Sequence, residues 1–434
     1  KQSLLNKLAN REAKVGIVGL GYVGLPLAVE FAEQGFHVIG LDLNEAKVKQ
    51  LNAGESYIPD IPTERLKPLV QSGKLRGTTS YDDLQQVDTV SICVPTPLRK
   101  TKDPDMSFVI ESVNAVAKIA HEGMLVVLES TTYPGTTEEI VIPQLLHNGF
   151  HVGENVFIAF SPERIDPGNK NYGVRNTPKV VGGVTPACTE VAAALYDTAV
   201  DNVVQVSSPT SAEMVKLLEN TFRAVNIGLV NEVAIMCDKL GINVWEVIDA
   251  AKSKPFGFMP FYPGPGLGGH CIPVDPHYLS WKLKTLNYNA RFIELASEIN
   301  TSMPLYVLDK ITQGLNDDCK AVRGSKIVVL GVAYKRDVDD VRESPALDIL
   351  SLLHERGGHV VYHDPYVPHL RLEGEHTMDS AAYSTELLES ADCVVIVTDH
   401  STYDWQHVVD HSKLVVDTRH ATHQSKGRAR IVSL

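Results

Sequence analysis

Cys271 stands in surroundings unlike those of the other five cysteines: PheTyrProGlyProGlyLeuGlyGlyHisCysIleProValAspPro, residues 261–276. Glycine and proline leave backbone NH groups exposed in such a loop. The chain beyond it reads as a helix, whose amino end draws a thiol toward the thiolate. Asp275, four residues on, can face the same site. A packing cysteine beside a glycine turn is the plainer alternative. Upstream, Glu213, Lys216, Asn220 and Asn231 fall within about 60° of one another at ~100° per helical residue. A third set is Gly19, Gly21 and Gly24, with Tyr22 and Val23 between them; it closes an apolar run, and Asp42 follows about twenty residues later.

Each set has its own chemistry. Glycines at a strand-to-helix turn let the backbone approach a pyrophosphate, and a carboxylate at the end of the next strand accepts both ribose hydroxyls. Asp42 is followed by Leu43 and Asn44, with no Arg to receive a 2′-phosphate, so NAD is expected rather than NADP. An alcohol dehydrogenation needs a base and a nicotinamide but no cysteine. Oxidising a primary alcohol to a carboxylate needs one, because the aldehyde must be captured as a thiohemiacetal before a second hydride can leave. Cofactor glycines, a Lys/Asn stripe and a thiol together therefore point to a four-electron oxidation.

These groups must be carried by a layered α/β chain. From Lys14 the sequence reads as one βαβ unit, and further strands at 88–94, 125–129, 156–160 and 179–182 alternate with helical stretches, as a doubly wound sheet requires. The loops at 94–97 and 130–132 lie at carboxyl ends of strands and offer Thr96 and Thr131 as cofactor-site hydroxyls. Residues 211–240 contain no Pro and one Gly and read as one long helix; its apolar faces invite a subunit partner. A second helical stretch is expected over 281–313. The strand-turn-helix-strand pattern then recurs, with Asp364 in the place of Asp42 and Asp392 in the place of Asp88. In this copy Gly331 is followed by ValAlaTyrLys, so the glycine fingerprint is missing and a second dinucleotide is not expected. Lys335, Arg336 and Arg342 suit a phosphorylated ligand, or else form a solvated basic linker.

Composition narrows the class. The 434 residues carry 40 Lys+Arg against 53 Asp+Glu, and a net charge of −13 disfavours a nucleic acid partner. Six scattered cysteines with no CxxC pair suggest a reducing cytoplasm. No apolar run approaches the ~18 residues of a membrane-spanning helix, and the amphipathic start is unlike a signal peptide, so a chain neither exported nor anchored is expected. The sixteen His show no HExxH spacing, and no metal centre is expected.

The chain resembles the UDP-glucose/GDP-mannose dehydrogenase family along nearly its whole length. The matching segments are GlyLeuGlyTyrValGly (19–24), ValProThrPro (94–97), SerThrThrTyrProGly (130–135), SerProGluArg (161–164), the Glu213/Lys216/Asn220 helix, GlyGlyHisCysIleProValAspPro (268–276) and TyrLysArgAspValAspAspValArgGluSerPro (334–345). The loop before Cys271 looks like the branch that oxidises UDP-N-acetylhexosamines, most closely its UDP-N-acetylglucosamine 6-dehydrogenases, whose products feed surface-polysaccharide synthesis. UDP-N-acetylgalactosamine, UDP-N-acetylmannosamine and UDP-glucose remain alternatives.

The resemblance implies two Rossmann-like doubly wound domains joined by a long central helix: an NAD-binding domain over 1–207, a helical dimerisation domain over 208–312 and a UDP-sugar-binding domain over 313–434. It implies Cys271 as nucleophile, Lys216 with Asn220 as stabilisers of the oxyanions, and Asp275 with Lys216 as the water-linked pair that helps deprotonate the C6 hydroxyl. Glu163 would be the base of thioester hydrolysis, and Thr131 would position its water. Arg164, Arg223, Tyr262, Gly268, Tyr334 and Lys335 would hold the nucleotide sugar, and Arg342 would lie at the cofactor. A homodimer or higher homo-oligomer is implied.

One departure is visible. Where the UDP-glucose branch has a second Glu before Gly, this chain has Pro167 before Gly168, so a second carboxylate is absent or falls to Asp166. Two rival readings stand: a two-electron dehydrogenase with Lys as base, for which Cys271 is dispensable, and a nucleotide-sugar-binding regulator that catalyses nothing. The presence of Lys216, Cys271 and Asp275 together argues against the second.

Overall fold

The structure, a computed structural model, describes the chain apart from residues 100–102, 147–148, 167–168, 170, 270 and 373–376. The chain divides into two units, Lys1–Glu219 with His277–Tyr288, and Asn220–Pro276 with Asn289–Leu434.

Among the described residues the first unit holds eight strands: Lys14–Val18 (β1), His37–Leu41 (β2), Leu75–Thr78 (β3), Thr89–Ile92 (β4), Leu125–Leu128 (β5), Phe157–Phe160 (β6), Lys179–Gly183 (β7) and Val203–Val206 (β8). They form one sheet in the order β3-β2-β1-β4-β5-β6-β7-β8. β5 and β6, LeuValValLeu and PheIleAlaPhe, are buried throughout, which explains their unbroken apolar sequences, and β4 is buried as well although it carries Thr89 and Ser91. The order reverses between β1 and β4, and ligands bind outside the carboxyl ends of strands at such a point.

Beyond β8, ValValGlnVal, which the sequence reading does not expect as a strand, two features of this unit depart from the sequence expectation. β3 reads LeuArgGlyThr and escapes detection because it carries a single large apolar residue. β7 runs antiparallel to β6, Ala159 opposite Gly183, so the described residues between them form no crossover helix.

In the second unit follow Lys326–Leu330 (β9), His359–His363 (β10), His369–Arg371 (β11), Thr377–Asp379 (β12), Cys393–Ile396 (β13), Leu414–Asp417 (β14) and Arg430–Ser433 (β15). β11 and β12 make a small antiparallel ribbon, and the rest form a parallel sheet in the order β10-β9-β13-β14-β15. The internal duplication extends to single hydrogen bonds. In the first unit Asp88 accepts Lys14 N at 2.9 Å and Lys7 Nζ at 2.6 Å; in the second Asp392 accepts Lys326 N at 2.8 Å and Lys320 Nζ at 2.5 Å.

The long helix spans Pro209–Leu240 and passes from one unit into the other after Glu219. The helical stretch expected over 281–313 is instead two helices, Asp275–Thr285 and Arg291–Asp317. The break comes where Asn287 takes a left-handed φ of 57°, with Tyr288 N closing onto Leu283 O at 2.9 Å. No helix among the described residues is long and apolar enough to cross a membrane.

Candidate functional site

At the carboxyl end of β1 the three glycines have different jobs. Gly19 takes φ 92°, and a Cβ there would lie 2.6 Å from Cys93 O; one on Gly24 would collide with Gly19 O. Both are demanded by the protein's own packing. A Cβ on Gly21 would meet nothing within 4 Å, so the space beside that turn is open, as a bound pyrophosphate needs. Tyr22 and half-buried Val23 lead into the helix Gly24–Glu33. Asp42 follows β2 and accepts Leu20 N at 3.0 Å and Asn44 N at 2.9 Å, while Lys47 Nζ lies 3.4 Å from it. These bonds fix the direction of the Asp42 carboxylate at the carboxyl end of β2. Thr96 and Thr131 are both half-buried; Tyr278 donates to Thr96 O at 2.9 Å, and Ser130 Oγ donates to Val94 O at 2.7 Å, tying the two loops down.

The polar stripe of the long helix is buried: Glu213 is 0% exposed, Lys216 8%, Asn220 5% and Asn231 0%. Its opposite side, ~160–180° around the helix, exposes Leu218, Phe222, Leu229, Met236 and Leu240. This inverts the usual amphipathic order. Each stripe residue has a definite partner. Glu213 accepts Gly135 N, Thr137 N and Thr137 Oγ1 at 2.6–2.9 Å, and burial pushes its carboxyl above the usual range against those bonds. Lys216 Nζ donates to Glu163 O at 2.6 Å. Asn231 Nδ2 donates to Asn300 Oδ1 at 2.9 Å, and its Oδ1 accepts Gly264 N at 2.9 Å.

Glu163 turns its carboxylate inward. Oε1 accepts Arg164 N and Ile165 N at 2.7 and 2.6 Å, and Oε2 lies 3.3 Å from Lys179 Nζ. Arg164 forks onto Glu219 through Nη2 at 2.5 Å and Nε at 3.3 Å. Arg223 is exposed on the long helix and Asp166 on its loop; Pro167 and Gly168 lie outside the described residues.

In the second unit, Cys271 is half-buried and its carbonyl accepts Asp275 N at 2.8 Å, which places the residue at the positive end of the helix Asp275–Thr285. Asp275 is 2% exposed, and Asn220 Nδ2 donates to its Oδ2 at 2.5 Å. The preceding loop lies flat on Tyr334: Gly269 takes φ 85°, its N donates to Arg342 O at 3.0 Å, and a Cβ on Gly268 would lie 2.6 Å from Tyr334 Cβ. Tyr262 stacks on Trp245 with ring centroids 5.9 Å apart, while Phe261 joins the apolar cluster around Trp245. His270 lies outside the described residues.

At the carboxyl ends of the second sheet, Asp364 is not available as Asp42 is. It accepts Val332 N, Ala333 N, Tyr366 N and Val367 N at 2.7–3.1 Å and pairs with His400 Nε2 at 2.9 Å, all within the core. The missing glycine fingerprint thus goes with a filled ribose position. Of the basic residues there, Arg336 pairs with Asp399 and Arg342 with Asp340, while Lys335 Nζ lies 5.9 Å from the Tyr334 ring centroid. Arg419 was not singled out from the sequence. It follows β14 by two residues, its Nε donates to Val397 O at 2.8 Å, and Gly264 must be glycine because a Cβ would lie 2.7 Å from Nη1. Burial lowers its pKa below the ordinary arginine value, a cost that an anionic ligand would relieve. Its signal was AspThrArg directly after the apolar run LeuValVal.

Comparison with known proteins gives matches in chain order to the UDP-glucose/GDP-mannose dehydrogenase family: its NAD binding domain at residues 13–200, its central domain at 210–302 and its UDP binding domain at 328–424. The UDP-N-acetyl-D-mannosamine dehydrogenase of Escherichia coli strain K12 is 36% identical, the match covering 94% of this chain and 98% of that one. The solved UDP-D-ManNAc dehydrogenase of Pyrococcus horikoshii superposes with a TM-score of 0.89 at 33% identity, over 97% of this chain and 98% of that one. A UDP-glucose dehydrogenase of Pyrobaculum islandicum gives 0.82 at 28% identity, over 96% and 97%. With a dinucleotide turn in the first sheet, a filled counterpart in the second and these whole-length matches, the chain belongs to the UDP-glucose/GDP-mannose dehydrogenase family and is an NAD-dependent oxidoreductase.

Proposed function

We propose that this enzyme oxidises the C6 hydroxyl of a UDP-N-acetylhexosamine to the carboxylate in two hydride transfers. One observation carries the reading: Lys216 and Asn220 sit one turn apart on a single helix, and Asn220 is bonded to Asp275, four residues after Cys271. Asp275 with Lys216, through a water, takes the hydroxyl proton. The Gly19–Gly24 turn and Asp42 would hold NAD, which would supply the hydride acceptor for both oxidations; the first oxidation leaves an aldehyde. Cys271 Sγ then adds to C6, and Lys216 and Asn220 carry the oxyanion so formed. Loss of the second hydride leaves a thioester on Cys271. A water oriented by Thr131 gives its proton to Glu163 as it attacks that carbonyl, and the C–S bond breaks with the electron pair returning to sulfur. The uridine diphosphate is held by Lys335, Arg419 and the Tyr334 wall, with Arg164, Arg223, Tyr262 and Gly268 at the sugar end and Arg342 toward the cofactor.

The domain division at 207 and 312 belongs to the same reading, as does a cytoplasmic place in surface-polysaccharide synthesis. So does a homodimer built on the exposed apolar side of the long helix, where Leu218, Phe222, Leu229, Met236 and Leu240 would otherwise face water.

For the sugar we propose UDP-N-acetylglucosamine, on the resemblance of the 261–276 loop. A second reading, UDP-N-acetylmannosamine, is favoured by the relatives at 34–36% identity that carry that activity in their names. A panel of UDP-sugars read by NADH absorbance decides between them. UDP-N-acetylglucosamine should exceed UDP-glucose in kcat/KM by roughly ten- to a hundredfold, since a site built for the acetamide leaves polar groups unpaired without it. Exclusive use of the manno epimer keeps the chemistry and replaces the substrate.

A further inference from the structure

Lys179 and Glu129 are buried charges that the oxidation itself does not use. Lys179 opens β7, is 5% exposed, and donates from Nζ to Glu129 Oε2 at 2.6 Å and to Glu163 Oε2 at 3.3 Å. Glu129, directly after β5 and 1% exposed, accepts Tyr196 OH on its other oxygen at 2.5 Å. Tyr196 is wholly buried, and its hydroxyl lies 3.5 Å from Ser91 Oγ. A single file of polar groups thus runs out of the apolar core, Tyr196 to Glu129 to Lys179 to Glu163.

Burial opposes the charge on Lys179, but Glu129 and Glu163 outweigh it and hold the ammonium above the ordinary lysine range. Burial and Glu129 push the Tyr196 phenol up, so it stays a donor. Glu129 alone gives Lys179 a close partner at 2.6 Å; the longer bond to Glu163, whose side chain is 12% exposed, is the one a purely structural pair does not need. At Glu163, Oε1 already accepts two backbone NH groups, which fills its lone-pair directions. Oε2 therefore holds the remaining capacity to accept a proton, and Lys179 occupies one side of it.

We propose that Lys179, anchored by Glu129 and Tyr196, is a positioning residue that aims Glu163 Oε2 at the hydrolytic water. The inference rests on the reading of Glu163 as the base of thioester hydrolysis. In that step the water oxygen bonds to C6, its proton passes to Oε2, and the C–S bond breaks to return the thiolate of Cys271. Lys179 exchanges no proton and touches neither substrate nor cofactor. The two hydride transfers precede this step and do not depend on it.

The test is rapid-mixing kinetics on Lys179→Met and on the doubly substituted Lys179→Met/Glu129→Gln, which removes one buried charge of each sign and so protects folding. Both should give a full burst of two NADH per Cys271, followed by a steady-state kcat lowered roughly ten- to a hundredfold, with kcat/KM for the sugar within about twofold of the parent, so that KM falls together with kcat. Intact-protein mass spectrometry should find the sugar thioester on Cys271. Steady-state turnover at the parent rate, or a burst that shrinks in step with turnover, overturns the proposal. Glu163→Gln run in parallel separates the two claims. If it accumulates the adduct and the Lys179 variants do not, only the positioning role fails; if it does not, the assignment of the base fails first.

Discussion

Asn220 donates from Nδ2 to Asp275 Oδ2 at 2.5 Å, joining the long helix to the first residue of the helix that follows Cys271. Asp275 is buried at the amino end of its helix. The amide therefore fixes the carboxylate's direction. Asn220→Ala should lower kcat about ten- to a hundredfold, through the lost oxyanion donor and a loosened Asp275, while NAD affinity stays within about twofold. Steady-state kinetics with an NAD titration by fluorescence checks it, and an unchanged kcat removes Asn220 from the chemistry.

Glu163→Gln should stall the enzyme late rather than early. Both hydride transfers precede hydrolysis, so NADH should appear as a burst and an adduct should accumulate on Cys271. Preserved steady-state turnover without adduct would assign hydrolysis to another base.

How far the sequence carried these residues depends on where their partners lie. The glycine turn, Asp42 and the stripe at 213, 216, 220 and 231 are local patterns, and local periodicity is enough to read them. The Lys14–Asp88 and Lys326–Asp392 bonds were visible only as matched positions in two similar stretches. Asp364 was legible only as the counterpart of Asp42 in position; what fills it, His400, lies 36 residues away in sequence. The antiparallel β6–β7 pair, the break at Asn287 and the crowding of Arg419 by Gly264 depend on tertiary placement, which no periodicity encodes.

NAD should be preferred to NADP. Asp42 would lose two ribose hydrogen bonds and repel a 2′-phosphate, a penalty on the order of 2–4 kcal/mol, or roughly thirty- to a thousandfold. Lys47, 3.4 Å from that carboxylate, offsets part of the repulsion and puts the expectation at the lower end. Equal kcat/KM for the two cofactors would remove Asp42 from the ribose.

Asp364 should carry acid-sensitive stability. Burial pushes its carboxyl up, but the His400 hydrogen bond and the Val332 and Tyr366 NH groups outweigh that and hold it below the usual carboxylate range. A carboxyl with a depressed folded pKa stabilises above its unfolded value of ~3.9, and that contribution disappears as pH falls through the folded value. Asp364→Ala should cost about 3 kcal/mol at pH 7, since it strands His400 and four NH groups, and the gap to the parent should narrow below about pH 4. Urea unfolding at pH 7 and at pH 3.5 measures it. A gap that is constant with pH would show that the carboxylate form is not what stabilises.

The most direct measurement counts NADH formed per UDP-sugar consumed, with enzyme at catalytic concentration and the sugar limiting. A four-electron oxidation through Cys271 predicts two NADH for each uronic acid, with no aldehyde released. One NADH per sugar with free aldehyde would contradict it and leave an ordinary two-electron dehydrogenase, and none at all would leave a binding protein.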